Sequence, residues 1–514
     1  MKTKNIFKFL VIVFIHYSYG NNYVEEVFKW RKVEYENLPK SENYRIGPYK
    51  YYIPENNDIS GFAYHPASGL MVTVNVRHRP GIPSSLNAFC VNEYTVGSSP
   101  KIWGFPNYKV NALRTSDFYG KPDEEDETRT KTYRPNKPNK GQNYYPPNYN
   151  QEYYTHNKPG NYNIPGSYNF TYPVPIYTTK YTSKPTRFTT TSTTSTTQRP
   201  PESTRIISVF HVTIDEKCNR LFVVDNGRVN YYLNSSYIIK KPSLIVVDLP
   251  TDGCESRVFS ILRNSEIPDK IIANRENGFM HTFVDHQSEK NCDDLFVYMP
   301  NSFYNYLVVY SYKTDEFWSF DHETFQPVVS QSHFVFDKTL PYDFNFGIFS
   351  IALGYPDKYG DRTAYYTSIA STAQFAVSTQ VLKDKRRAMD NFNSGDFRIM
   401  GFRGCHSQTL KTVIDYTSGV MFYTEVDTGK IRCWDMNKDL NPNNVDVIYT
   451  SDDILFNPQI FIDSRKYLWF QTNQIPLLYA SDKPLDPNNI NCRIYQVKVS
   501  DAIEGTLCGD LYKT

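Results

Sequence analysis

An excess of charge of either sign is missing from this chain. Its 56 Lys and Arg offset 54 Asp and Glu to a formal net charge of +2 over 514 residues, so there is no broad field to draw in nucleic acid or an anionic membrane. Beyond the N-terminus, no apolar run has the length of a bilayer span. The eight cysteines include no C-x-x-C pair, which removes the usual zinc-ribbon and dithiol redox signatures. G-x-S-x-G, H-E-x-x-H and a Walker loop are also absent, leaving no motif for a hydrolase elbow, a zincin or a P-loop. No cofactor and no metal are expected. Helical signals are sparse.

What is present favours strands. Aromatic residues make up 16% of the chain, with 43 Tyr and 33 Phe, and such residues suit a pleated surface. The N-terminus, "MKTKNIFKFLVIVFIHYSYG", combines Lys2, Lys4 and Lys8 with a short apolar run from Phe9 to Ile15 and the small residues Ser18 and Gly20. This is the pattern of a secretory signal peptide over residues 1–20, and a secreted, extracellular protein is the expectation. In an oxidising compartment an even number of cysteines points to disulfides. The pairs closest in sequence are Cys405 with Cys433, Cys254 with Cys292 and Cys492 with Cys508, leaving Cys90 with Cys218, one of roughly 105 connectivities.

Composition breaks between residues 121 and 204, where Pro, Asn, Tyr and then Thr dominate and aliphatic residues almost vanish. So little apolar surface cannot offset the entropy of ordering, and a disordered, low-complexity insert is expected. Its Thr/Pro half has the composition of an O-glycosylated stalk. Its Tyr-rich half reads first as a plain solvated loop, with oxidative crosslinking into an extracellular matrix as the alternative. Sequons at Asn169 and Asn234 fit a glycosylated surface.

Outside the insert one grammar recurs: a strand, a polar turn usually carrying Asp, and a second aromatic strand. It is seen in "ISGFAYHPASGLMVTVNV", "ISVFHVTIDEKCNRLFVVDNG", "GFMHTFVDHQSEKNCDDLFVYMPN", "GIFSIALGYPDKYGDRTAYYTSIAS", "QTLKTVIDYTSGVMFYTEVD" and "PQIFIDSRKYLWFQTNQ". With Val72, Phe222, Phe296, Tyr365, Phe422 and Trp469 as equivalent anchors, the later intervals fall from about 74 to about 47 residues. Several units are followed by a second strand pair, such as "SLIVVDL". Six units of four strands predict an all-β, six-bladed propeller. Residues 21–120 would supply an N-terminal strand and blade one, and residues 205–514 blades two to six and closure, with the insert between blades one and two.

A resemblance adds to this reading. "FKWRKVEYE", "YIPENN", "VRHRPGIPSSLN", "VTIDEKCNRLFVVDNG", "NCDDLFVYM", "RTAYYTSIASTAQFAVSTQVLKD", "IRCWD" and "RIYQVKVSDAIEGTLCGD" occur in order, and together they resemble the insect yellow and major royal jelly protein family. The resemblance implies secretion and a six-bladed propeller but no single activity. The family's roles include pigmentation, dopachrome conversion, nutrition, eggshell and cuticle structure, and salivary binding of biogenic amines.

Propeller sites usually lie where the innermost strands meet. Here those segments offer aromatics and hydroxyls without a dense carboxylate cluster. Such a lining suits a small aromatic amine or a catechol-derived ligand. By analogy with the family, Asn345, Phe346, Phe375, Ser378 and Thr379 are the candidate ligand residues. Among histidines on or beside inner strands, His65, His211, His281, His286 and His406, a general base for a dopachrome-type isomerisation would be sought at His281 or His406. Glu55, Asn56, Asn57, Asn274 and Asn277 are oxygen donors for Ca²⁺ only as a rival to ordinary turn formation. A structural role in cuticle or eggshell is the third reading.

Overall fold

The computed structural model describes residues 23–39, 51–113, 205–231, 236–254, 259–272, 278–288, 290–389, 394–426, 428–481 and 483–509. The expected signal peptide, the insert at 121–204, Asn169, Asn234, Asn274 and Asn277 lie outside them. Among the described residues no helix is long and apolar enough to cross a membrane.

Six antiparallel four-stranded sheets form the blades of a β-propeller. Blade one runs Gly61–His65, Leu70–Val74, Leu86–Cys90 and Trp103–Gly104. Blade two runs Thr213–Asp215, Arg220–Asp225, Ser243–Asp248 and Ile261–Glu266. Blade three comprises Phe283–His286, Leu295–Asn301, Tyr306–Ser311 and Glu316–Asp321. Blade four comprises Ile348–Leu353, Thr363–Ser368, Ala373–Ser378 and Arg398–Phe402. Thr409–Asp415, Val420–Glu425, Lys430–Asp435 and Val445–Thr450 make blade five.

Blade six takes three strands from the C-terminal part, Ile460–Ile462, Tyr467–Asn473 and Cys492–Lys498, and its fourth, Glu25–Trp30, from the other end of the chain. The closing pair runs from Glu25 opposite Gln496 to Trp30 opposite Cys492. Trp30 is buried and donates its indole N–H to the Pro100 carbonyl at 2.8 Å, while Phe28 meets Phe89 edge-on at 5.2 Å. Blade six is thereby locked to blade one.

The recurring turn has a physical basis in its backbone. Four of the inner hairpins turn through a left-handed residue just before the second strand: Gly69 (φ 70°), Asn219 (φ 51°), Gly419 (φ 70°) and Lys466 (φ 66°). Glycine and asparagine enter that region at low cost. The aspartate before the turn caps it, since Asp415 accepts from the Ser418 N–H and hydroxyl and Asp463 from the Arg465 and Tyr467 N–H groups. The second strand then carries the apolar load. Val72, Phe222, Phe422 and Trp469 are buried there between blades.

The first strand of each blade lies at the channel and contacts the first strands of its neighbours. The ring closes where Gln459 donates to the Phe62 carbonyl at 2.7 Å and Phe62 packs on Phe461.

The disulfides differ from the expected pairing. Cys90 pairs with Cys254, Cys218 with Cys292 and Cys433 with Cys508, whereas Cys405 is an exposed thiol and Cys492 a buried one. Each bridge joins neighbouring blades or their extensions. Closeness in sequence selects cysteines of one blade or its flank, but the spacing of radially stacked sheets places the bondable sulfurs side by side across blades.

Candidate functional site

One end of the channel opens into a small pocket. Most of its wall is built from residues at or just before the start of the inner strands, with Val76, His78, Ile475 and Leu478 added from segments that follow second strands. Phe210, Phe344, Phe346, Phe349 and Phe456 contribute rings, and Met280 and Leu410 aliphatic surface; the polar side chains are Ser60, His78 and His211. No carboxylate is among the lining residues. Phe344 and Phe346 meet edge-on at 4.4 Å, and Phe346 also stacks on Phe303 at 5.0 Å. A glycine lets this loop pass close to the short helix ending at Phe325 and the turn at Asn305. A Cβ on Gly347 would lie 2.1 Å from the Phe325 carbonyl oxygen.

The floor of the pocket is of different chemistry. His211 and His281 stack face to face at 3.8 Å with an interplanar angle of 18°, and Phe349 presents its ring edge-on to both. Gly61 makes room for the first of them, because a Cβ there would stand 2.6 Å from His211 Nδ1. Among the described residues, His211 Nδ1 and both ring nitrogens of His281 have no hydrogen-bond partner. Beside them, on the inner strand of blade five, Lys411 is 7% exposed and donates to Gln459 Oε1 at 2.7 Å. Lys411, His281 and Gln459 each follow a pocket-lining residue, namely Leu410, Met280 and Pro458.

Burial dominates the electrostatics of this floor. It holds the Lys411 amine down at about 7, because no carboxylate is bonded to it to offset the lost hydration. Both imidazoles are driven well below their ordinary range, by burial first, and the Lys411 charge adds to the effect. His78 is pushed down to about 3 by burial and by the neighbouring Arg79. Near pH 7 the imidazoles are neutral and the Lys411 amine is about half protonated, beside an aromatic mouth. Such groups can accept and return protons without a counter-ion.

Of the five candidate ligand residues only Phe346 lines this pocket, and of the candidate histidines only His211 does. Asn345 is exposed in the same loop. Phe375 is buried within blade four, stacked on Tyr366 at 5.4 Å. The Ser378 hydroxyl caps a short helix by accepting from the Gln380 N–H, and Thr379 accepts from the Arg362 N–H. None of these three is among the residues lining the pocket.

The histidines divide in the same way. His281 is in the channel, whereas His406 is exposed in a turn with φ 56°. His65 is held by Ser68 and Asn219, and His286 by Asp215. Of the oxygen-donor rivals, Asn57 engages Ile53, Gly81 and Tyr35 with its amide and carbonyl, and Asn56 donates to Pro80. Asp215 and His286 also approach Cys218, but that sulfur is committed to a disulfide. Sequence reasoning passed over Lys411 and Gln459. The available signal was a lone cation in the apolar inner strand "TLKTVI".

Fold and pocket define a six-bladed propeller with an aromatic channel site. Residues 207–508 match the Major royal jelly protein family, and the chain belongs to that family. It is 35% identical over 319 residues to the yellow-related salivary protein ASP4 of Phlebotomus orientalis, covering 60% of this chain and 75% of that one. It is 33% identical over 306 residues to the yellow-related salivary protein LJM111 of Lutzomyia longipalpis, covering 59% and 73%. With the L-dopachrome tautomerase yellow-f of Drosophila melanogaster it shares 30% identity over 305 residues, covering 59% and 68%.

Proposed function

We propose that this yellow-family chain is a secreted protein that takes a small catechol-derived aromatic into the channel pocket. The observation that carries the reading is the contrast within the pocket: five phenylalanines at the mouth and imidazole nitrogens without partners at the floor. A flat ring gains apolar contact and edge-to-face packing from the wall. Its oxygens, hydroxyl or quinone, meet His211 and Ser60. A biogenic amine fits the same wall, but its ammonium finds hydroxyl and carbonyl acceptors rather than an anion.

A second reading, isomerisation of a quinone of the dopachrome type, is favoured by the stacked imidazoles. His211 and His281 are neutral and close, so one can take a proton from the ring while the other returns one to an oxygen. The relative named for L-dopachrome tautomerase agrees with this chemistry.

Calorimetric titration with dopamine, serotonin, octopamine and L-dopachrome, alongside a spectrophotometric assay of dopachrome loss, tests both. Saturable binding weakened about tenfold or more by Phe346→Ala supports the pocket. Turnover lowered by about 10² or more in His281→Ala supports the isomerase. Neither binding nor turnover would leave the structural role in cuticle or eggshell.

A further inference from the structure

Lys411 stands out among the buried groups of the molecule. Its amine is enclosed, it donates to the neutral carboxamide of Gln459, and the imidazoles beside it carry unpartnered nitrogens. A lysine with a purely structural role is normally paired with a carboxylate. Lys383 illustrates this, with Asp285 and Asp361 within 3.2 Å of its nitrogen. Position adds to the argument. His211 lines the pocket, and the Lys411 amine is near enough to act electrostatically on both imidazoles and lies 5.9 Å from the Phe283 ring, so it stands behind the pocket wall.

We propose that the channel floor is a covalent carbonyl site, in which the Lys411 amine forms an imine with a small aromatic aldehyde admitted through the phenylalanine mouth. The proposal rests on the pocket's accepting an aromatic ring, as proposed above, and adds a covalent step to it. The Nζ lone pair attacks the carbonyl carbon, forming the C–N bond as the C=O π pair moves to oxygen. A proton passes from nitrogen to that oxygen, with a free imidazole nitrogen of His281 or His211 as relay, to give the carbinolamine. An imidazolium then protonates the hydroxyl, the C–O bond breaks and oxygen leaves as water while the nitrogen lone pair closes the C=N bond, and the remaining N–H proton returns to that imidazole. Overall one amine and one aldehyde give one imine and one water, with no oxidant or reductant. The neutral amine this requires is available near pH 7, because burial holds Lys411 at about 7.

The test is trapping with 4-hydroxybenzaldehyde and sodium cyanoborohydride, which reduces an imine to a stable secondary amine, followed by peptide mass mapping. The expected result is one adduct on the peptide holding Lys411, at an occupancy at least about tenfold that of any exposed lysine. Its formation should rise with pH through about 7. In Lys411→Arg, which keeps the charge, the adduct is lost. Adducts confined to exposed lysines in the wild-type protein overturn the proposal, whatever the folding of the variant. Dopamine, which has no carbonyl, separates the two readings. Dopamine binding without a Lys411 adduct refutes the imine site alone, and a Lys411 adduct without dopamine binding refutes the catechol reading alone.

Discussion

Replacing Lys411 by methionine should stabilise the protein, and by an amount that depends on pH. In the unfolded chain the amine titrates at its usual 10.5, and in the folded protein at about 7. Between those values the unfolded state binds more protons, so wild-type stability rises with pH across the window and is lost as pH falls from 10.5 to 7. With about 1.36 kcal/mol for each pH unit that separates folded from unfolded titration, the penalty is about 5 kcal/mol at pH 6 and about 3 kcal/mol at pH 8.5. Methionine has a similar length and no charge, but it leaves Gln459 Oε1 without its donor, which costs about 1 to 2 kcal/mol at any pH. Lys411→Met should therefore be more stable than wild type by about 3 kcal/mol at pH 6 and by about 1 kcal/mol at pH 8.5. Urea midpoints of the two proteins at both pH values measure this. A variant less stable than wild type at pH 6, or a gap that does not narrow by pH 8.5, would refute the reasoning. Such a gain would also mean that the wild-type chain carries a destabilising residue at its channel, as functional sites often do.

Other consequences can be measured in the same protein. Arg77, 1% exposed, donates to the carbonyls of Ile82, Pro83, Ile206, Ile207 and Asn111, so Arg77→Met should lower stability by about 3 kcal/mol or more, and an unchanged melting temperature would contradict that set of bonds. The native protein should show one reactive thiol, Cys405, and a second, Cys492, only after unfolding; four thiols in denaturant would mean that one of the three bridges is absent. Removing the bridge between blade five and the C-terminal segment with Cys433→Ala and Cys508→Ala should cost about 2 to 5 kcal/mol, read as a lower urea midpoint. Thr379→Ala should leave ligand affinity unchanged, since Thr379 is engaged by the Arg362 backbone within blade four, and a tenfold loss of affinity would return it to the site.

The architecture was legible because the repeat is a local signal. Each of the six anchors, from Val72 to Trp469, falls on the second strand of its blade, since the hairpin and its Asp-capped turn are written within about twenty residues. The site was less legible. A channel brings together single residues from every blade, so Lys411 and His281 are separated by 130 positions and share no pattern. Phe346, in the loop before an inner strand, lines the pocket. Phe375 and Ser378 lie one hairpin further out, on the third strand, which faces away from the channel axis. The disulfides were misjudged for a related reason, because distance along the chain says little about which blade edges are adjacent.

The seam of blade six has a consequence for how the chain is made. Trp30 pairs with Cys492 and Glu25 with Gln496, so a strand synthesised at the beginning finds its partner only after more than 460 further residues. At ordinary rates of translation the wait is roughly 20 to 90 seconds. Throughout it the early strand presents an unpaired backbone edge and the apolar faces of Phe28 and Trp30, the surface that holdase chaperones recognise and that promotes association between nascent chains. Blades one to five are assembled from contiguous strands and need not wait. Yield of folded protein should therefore depend on the seam more than on any other blade, and a lesion in Glu25–Trp30 should reduce the amount of protein that closes before it alters the properties of the molecules that do.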